Sequence, residues 1–292
     1  MPTSGPEATF REALAMDSQW RRRHLPEPIR RLYSRINDKA LSKALVSALG
    51  IPQAEIYSVG LPLADAIEYA EQRRLDRFVV KPREAKDSIG VRGLVREGSD
   101  FRCILTGRRR SRATLEEELR AVMNRHGRTD AWIIEELLLP PEGRLASVDD
   151  FKFYAFFGEI VCILHKRRSF GWKRMTQWHQ WYGPHWNVID SGKHPHKVHS
   201  DMRPPPAADF LLQAAQDWSL RLLIPFARLD LYDTTRGAVL GEITPRPGNQ
   251  DGFSAEWQSR LNKAWQDAAK RLADSDKATA IDQHMQACAA IR

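Results

Sequence analysis

The stretch "FARLDLYDTTRGAVLGEITPRPGN", residues 226–249, reads as two strands joined by a tight turn and followed at once by a rigid, basic segment. Leu229 and Leu231 alternate with Arg228, Asp230 and Tyr232, so Asp230 points away from the face that the leucines bury. On the second strand Leu240, Glu242 and Thr244 share a face. Closing the hairpin symmetrically around residues 235–237 brings Asp230 beside Glu242. Facing carboxylates on neighbouring strands stand roughly 4.5–5.5 Å apart at Cβ and repel unless a proton or a cation lies between them. Hard oxygen donors in small number suit Mg2+, which keeps several waters and shares its coordination with substrate phosphates. The hairpin alone leaves a second reading open, in which both acids are solvated strand residues.

Outward from the hairpin, the chain mixes helical and strand periods. "NDKALSKALVSALG" is a helix that Asn37 or Asp38 can cap, with Leu41, Leu45 and Leu49 on one face and Gly50 at its stop. "LADAIEYAEQRR", "ATLEEELRAVMNRH", "PAADFLLQAAQDWSLRLL" and "SAEWQSRLNKAWQDAAKRLAD" are further helices. "RFVVKP", "GVRGLVRE", "FRCILTG" and "AWIIEELLL" read as strands, and "DFKFYAFFGEIVCILHK" as a hairpin turning near Gly158. Hairpins clustered with helices predict an α+β chain rather than a doubly wound parallel sheet. Residues 1–35 are mixed and basic and read as a poorly packed arm or a short helical lead-in; residues 276–292 read as a tail.

Composition narrows the function classes. The 292 residues suffice for one large domain or two ordinary ones. A net charge of +8 favours an anionic partner, but no recognised nucleic-acid motif accompanies it, so nucleic acid is a disfavoured partner. No run reaches the roughly 18 apolar residues of a membrane span, and no cleavable leader is visible, so a cytoplasmic location is expected. Cys103, Cys162 and Cys288 are too widely spaced for a thiolate metal site or a disulfide framework and are expected to pack.

Other chemistry-bearing residues come in a fixed order. Lys81 ends the strand "FVVKP" and precedes a basic loop, "REAKDSIGVRG", in which Lys86, Ser88 and Gly90 can approach phosphates. "WIIEELL" supplies Glu135 and Glu136, and "DDFKF" supplies Asp150 and Lys152. Taken with "NDKALSKAL", "HWNVID" and the final hairpin, this order resembles the TupA-like branch of the ATP-grasp superfamily, named for teichuronopeptide synthesis, from about Ile36 to Asn249.

The resemblance implies an ATP-grasp fold: a reduced pre-grasp segment over 36–75, a first subdomain over 76–138 and a second over 139–275. ATP and Mg2+ would be its cofactors. Lys81 would bind the α- and β-phosphates, with Lys86 and Ser88 supporting a loop that has only Gly90 where many relatives are glycine-rich. Glu135, Glu136 and Leu137 would line the adenine site and Asp150 the ribose; Lys152 would face the γ-phosphate. Asp230, Glu242 and Thr244 would hold the metal, Thr244 standing where many ATP-grasp enzymes carry asparagine. The implied reaction is carboxylate–amine ligation through an acyl phosphate, on a cell-surface glycan or its precursor. A kinase acting on a hydroxyl, and a glycan- or nucleic-acid-binding protein without turnover, are the alternatives.

Two segments are left to the acceptor. Arg246, fixed between Pro245 and Pro247, is expected to hold its guanidinium over the acceptor carboxylate or acyl phosphate, with Asn249 adding a hydrogen bond. Residues 169–206 read as an irregular acceptor loop, rich in tryptophan and histidine, in which Trp186 and Asn187 recognise substrate or close a lid. "HPHKVH", with His194, His196 and His199, reads as a flexible loop rather than a metal site.

Overall fold

Thr9 starts the first helix with a capping box: its hydroxyl accepts from Glu12 N at 3.3 Å, and its own N–H donates to the Glu12 carboxylate at 2.6 Å. This helix, α1 (Phe10–His24), buries Phe10, Ala13, Leu14 and Asp17, one helical stripe. The Phe10 ring packs edge-on against Phe226 at 5.1 Å in the main core. With α2 (Glu27–Ser34), whose Ile29 is fully buried, residues 10–34 form two packed helices, the helical lead-in of the two expectations rather than the loose arm. The sequence carried the signal, the Thr9-to-Glu12 box, in front of an apolar stripe. The coordinates are a computed structural model, which describes residues 8–84, 89–127, 129–170, 175–193 and 201–289.

Next come α3 (Lys39–Ala48), capped by Asp38, then β1 (Ile56–Leu61), α4 (Leu63–Gln72), β2 (Arg77–Pro82), β3 (Arg92–Glu97), β4 (Asp100–Cys103), β5 (Arg109–Ser111), α5 (Arg112–Arg125) and β6 (Trp132–Glu135). Their strands form one antiparallel sheet in the order β1-β6-β2-β3-β4-β5. Phe78, Val80 and Trp132 from the sheet, with Ile67 of α4 and Leu119 of α5, make a separate core beneath it.

A second sheet follows from β7 (Asp150–Phe156), β8 (Glu159–Phe170), β9 (Met175–Tyr182), β10 (Ala227–Thr234) and β11 (Gly237–Thr244), with α6 (Ala208–Leu220) between β9 and β10. Its order is β11-β10-β7-β8-β9, and every pairing is antiparallel. The expected α+β class with two sheets is therefore what the chain forms. β9 corrects the reading of 169–206 as irregular: residues 175–182 pair with β8 along their length, because "MTQWHQWY" alternates its side chains across a strand. Cys103 and Cys162 are free and buried, as packing residues are. Among the described residues no helix is long and apolar enough to cross a membrane.

The chain returns through α7 (Ala255–Asp274) and α8 (Ala278–Ala289), and α8 packs on α2 and α3, so the C-terminal residues are not a free tail. His284 of α8 is fully buried. Its Nδ1 donates to Ala280 O at 2.6 Å, which leaves Nε2 to accept from the Tyr33 hydroxyl at 2.8 Å. Burial pushes the imidazole down to about 4, so the folded ring stays neutral where the unfolded one takes up a proton. The stability this provides is present above the ordinary histidine range and drains away as pH falls towards 4. Between pH 7 and 4.5 the loss should be about 2 kcal/mol in urea unfolding. A His284→Leu variant should lose that portion of the pH slope; an unchanged slope would overturn the assignment.

Candidate functional site

A cleft of about 400 Å3 opens between the two sheets. Lys81 and Leu137 line it from the first sheet and the segment after β6, and Arg168, Tyr232 and Gly241 line it from the second. Lys43 of α3 enters from the side.

On the first wall, β2 runs beside β6, and the Glu135 carboxylate is clasped by lysines. Lys81 Nζ lies 2.5 Å from one oxygen and Lys43 Nζ 3.7 Å from the other. Burial alone would raise this carboxyl; the two ammonium charges outweigh it and hold the group below its ordinary value. Lys39, one helical turn before Lys43, donates to Pro82 O at 2.8 Å, and burial followed by the charge of Lys81 brings it down to about 8. The Glu135 carboxylate thus has lysines as partners here. Glu136 also lines the cleft, and its carboxylate accepts from Arg236 at 2.7 Å and from Glu55 N at 3.1 Å, tying the segment after β6 to the β10–β11 turn. Leu137, buried, remains a wall of the cleft. Lys86 and Ser88 lie outside the described residues. Gly90, beside them, has φ +73°, and a Cβ there would meet Pro82 at 2.8 Å, so the loop needs glycine at that point.

The hairpin that lines the cleft through Tyr232, Leu240 and Gly241 also carries the two acids. Asp230 pairs with Glu242 across β10 and β11, as expected, but by another route: the turn closes on Thr234 and Gly237, which alone would set Asp230 opposite Gly241, and a bulge between Asp230 and Leu231 shifts the partner to Glu242. On its other side Asp230 pairs with Lys152 of β7. Asp230 does point away from the buried leucines, but it is only 2% exposed, because its face of the sheet is covered as well. One Asp230 oxygen takes Arg228 Nε at 2.6 Å; the other takes Arg228 Nη2 at 2.8 Å and Lys152 Nζ. Lys152 also reaches Asp150 at 2.7 Å. Burial would raise Asp230, but Lys152 and Arg228 keep it below its ordinary value. Arg228 Nη2 donates to the Thr244 hydroxyl at 3.1 Å and stands 3.8 Å from Glu242.

Glu242 behaves oppositely. Its side chain is 60% exposed, yet the crowding of protein about it and then the charge of Asp230 raise its carboxyl. Among the described residues no three His, Cys, Asp or Glu side chains converge on one point. Asp230 and Glu242 nevertheless fit a hard divalent ion in donor chemistry, since facing carboxylates keep a negative excess that such an ion offsets while sharing substrate oxygens.

Other expected site residues lie elsewhere. Arg246 is exposed and donates to Leu14 O of α1 at 3.2 Å, so the proline-flanked turn is tied to the N-terminal helix. Asn249 is exposed, left-handed at φ 53°, and fits around Gly252. Trp186 packs edge-on against Phe151 and Phe153 at 5.9 Å, both on the opposite face of β7 from Lys152. Asn187 closes a tight turn, its carbonyl accepting from Gly183 N at 2.8 Å. Trp186 therefore packs on the face of β7 opposite Lys152. His194, His196 and His199 lie outside the described residues. Conversely, Lys43 and Arg228 join the site although the sequence reading passed over them. Each stood beside a flagged residue, Lys43 one turn from Lys39 and Arg228 two strand positions from Asp230.

Against known proteins, the family profile described as TupA-like ATPgrasp matches residues 17–265. Among solved structures, D-alanine–D-alanine ligase from Bacillus anthracis is similar at 16% identity and a TM-score of 0.48, covering 82% of this chain and 68% of that one. D-alanyl-alanine synthetase A from Vibrio cholerae gives 12%, 0.47, 86% and 68%. The ATP-grasp ligase PsnB complexed with minimal precursor gives 13%, 0.43, 82% and 62%, so this chain spans less than two thirds of that protein's length. No curated protein sequence matches the chain.

Proposed function

The chain belongs to the TupA-like ATP-grasp family, and from that premise we propose that it is an ATP-dependent ligase joining a carboxylate to an amine through an acyl phosphate. The observation that carries the reading is the buried Lys152–Asp230–Arg228 constellation beside the open Glu242 carboxylate, on the sheet whose Tyr232 and Gly241 line a cleft that Lys43 and Lys81 line from the other side. Phosphoryl transfer asks a protein mainly for positioning and for positive charge at the phosphate oxygens.

In the proposed reaction an oxygen of the acceptor carboxylate attacks the γ-phosphorus; the new O–P bond forms as the bond to the β–γ bridging oxygen breaks, releasing ADP. The amine nitrogen then attacks the acyl carbon, and the C–O bond breaks with phosphate leaving and the amine proton passing to solvent. Lys81 and Lys43 bind the phosphates of ATP, Lys81 exchanging Glu135 for a phosphate oxygen. Leu137 and the backbone after Glu135 hold the adenine, and Asp150 orients Lys152 towards the γ-phosphate. Arg228 holds the transferring group from the side of Asp230. Asp230 and Glu242 would hold Mg2+, which when bound shields charge on the phosphate oxygens; Thr244 serves by accepting from Arg228. An amine or amino acid joined to a cell-surface glycan precursor is the acceptor chemistry that the family resemblance favours.

The test is stabilisation by a non-hydrolysable ATP analogue with and without Mg2+, on wild type and Glu242→Gln. At about 100 times the dissociation constant the analogue should add roughly 2.7 kcal/mol to wild type. The Mg2+-dependent part should vanish in Glu242→Gln, whose exposed side chain makes folding damage small. A wild type left unmoved by the analogue overturns the nucleotide reading; a phosphorylated hydroxyl formed without amine would replace the ligase with a kinase.

A further inference from the structure

The face of the second sheet that carries Lys152 continues away from the cleft into an aromatic floor. Tyr154, two positions along β7 from Lys152, packs against Trp181 of β9 at 5.6 Å and edge-on against Phe253 at 5.6 Å; Trp181 and Phe253 lie 5.4 Å apart. Lys193 stands over this floor with its ammonium 4.2 Å from the centre of the Phe253 ring and 6.0 Å from that of Trp181.

Lys193 is held there by its backbone. Its N–H donates to the Ser191 hydroxyl at 3.3 Å, Ser191 O accepts from Ser254 N at 3.0 Å, and the Trp257 indole donates to Asp190 O at 2.7 Å. Gly192 between them has φ +80°, and a Cβ there would stand 2.8 Å from Ser254 N, so this turn is clamped to the start of α7.

The residue is 7% exposed, and among the described residues no carboxylate or carbonyl accepts from its ammonium. A buried ammonium ordinarily has a hydrogen-bonded counter-charge, because ring faces offset only part of its lost hydration. Burial, opposed by Cys162 and Asp251 and aided by the nearby charge of Arg228, lowers Lys193 to about 8; this face gathers the cations Lys152, Arg228 and Lys193, while its buried acids, Asp150 and Asp230, are engaged by the first two. An oxyanion would satisfy Lys193.

We propose that Lys193, beside Arg228 and over the Tyr154–Trp181–Phe253 floor, is a binding site for an oxyanion of the second substrate, a carboxylate or a phosphate. This rests on the ligase reading only in placing the second substrate next to the phosphoryl centre.

The test saturates the protein with the ATP analogue, which fills the nucleotide site, and titrates acetate and inorganic phosphate in separate arms. Acetylation of Lys193 by acetic anhydride, read by mass spectrometry on the wild type, should be suppressed by one of them, and the effective arm tells carboxylate from phosphate. Lys193→Met, which keeps the apolar stem, should bind that anion at least about tenfold more weakly, and Lys193→Arg should restore it. Stabilisation by the ATP analogue should be the same in all three proteins. If the analogue stabilises them equally while neither anion protects Lys193, or Lys193→Met binds as wild type does, this site is overturned and the ligase reading stands. If the analogue stabilises none, the nucleotide reading falls, and protection of Lys193 by the anions alone still decides the site.

Discussion

In an Asp230→Asn variant, urea unfolding is expected to report a loss of about 3–5 kcal/mol, the range for a buried ion pair broken from one side. The expectation follows from burial and stoichiometry together. Asp230 is 2% exposed, and its two oxygens take three hydrogen bonds from Lys152 and Arg228. An asparagine in that place keeps much of the shape but removes the charge, leaving two cations on one face with Asp150 as the remaining close acid of Lys152. Adding Lys152→Met should recover part of the loss, because the repulsion between the two cations goes with the lysine. The ATP analogue should also stabilise Asp230→Asn, since phosphate oxygens can stand in for the missing carboxylate. A single variant within about 1 kcal/mol of wild type would mean that the cluster is hydrated and open, and the expectation would fail.

How far the chain could be read beforehand differs from element to element. The facing of Asp230 and Glu242 was legible only in outline: a short turn and a period of two place the acids near one another, but the turn closes on Thr234 and Gly237, and the bulge beside Gly241 supplies the shift that sets Glu242 opposite Asp230. The identity of the Asp230 partners was not, because Arg228 in an alternating strand looks like any solvated arginine until the covering of that face is known. Lys43 was hidden in the same way on a helix whose apolar stripe was easy to see. Lys43 joins the site through a contact far apart in sequence, with Glu135, and Asp230 is covered through another, with Lys152. Trp186 shows the reverse failure. Its motif was noticed, but which face of the second sheet it covers depends on the path from β9, and that path puts its ring against Phe151 and Phe153. Arg246 likewise sits in the proline-flanked turn, while its side chain is taken by α1, a helix in the segment for which both a loose arm and a helical lead-in were expected.

Glu135→Gln is the variant that separates the two roles open to this acid. The carboxylate is 8% exposed, with Lys81 at 2.5 Å and Lys43 at 3.7 Å. Neutralising it leaves two buried ammonium groups without their anion, and the free protein should lose about 3 kcal/mol at neutral pH. The pH dependence has a definite sign: the folded carboxyl is held below its unfolded value, so the stability it provides is present above the ordinary carboxylate range and fades as pH falls through the folded value. Wild type and Glu135→Gln should therefore converge in acid. The ATP analogue provides the decisive comparison. If phosphate takes over Lys81 from Glu135, the wild type must break that pair on binding and the variant need not, so the analogue should stabilise Glu135→Gln more than it stabilises wild type. If the carboxylate instead met the adenine amino group, the variant would bind more weakly and its stabilisation would shrink. The Lys81–Glu135 contact in the free chain favours the first outcome: the acid then acts as the resident counter-charge of the phosphate-binding lysines, keeping the empty cleft stable at some expense of nucleotide affinity.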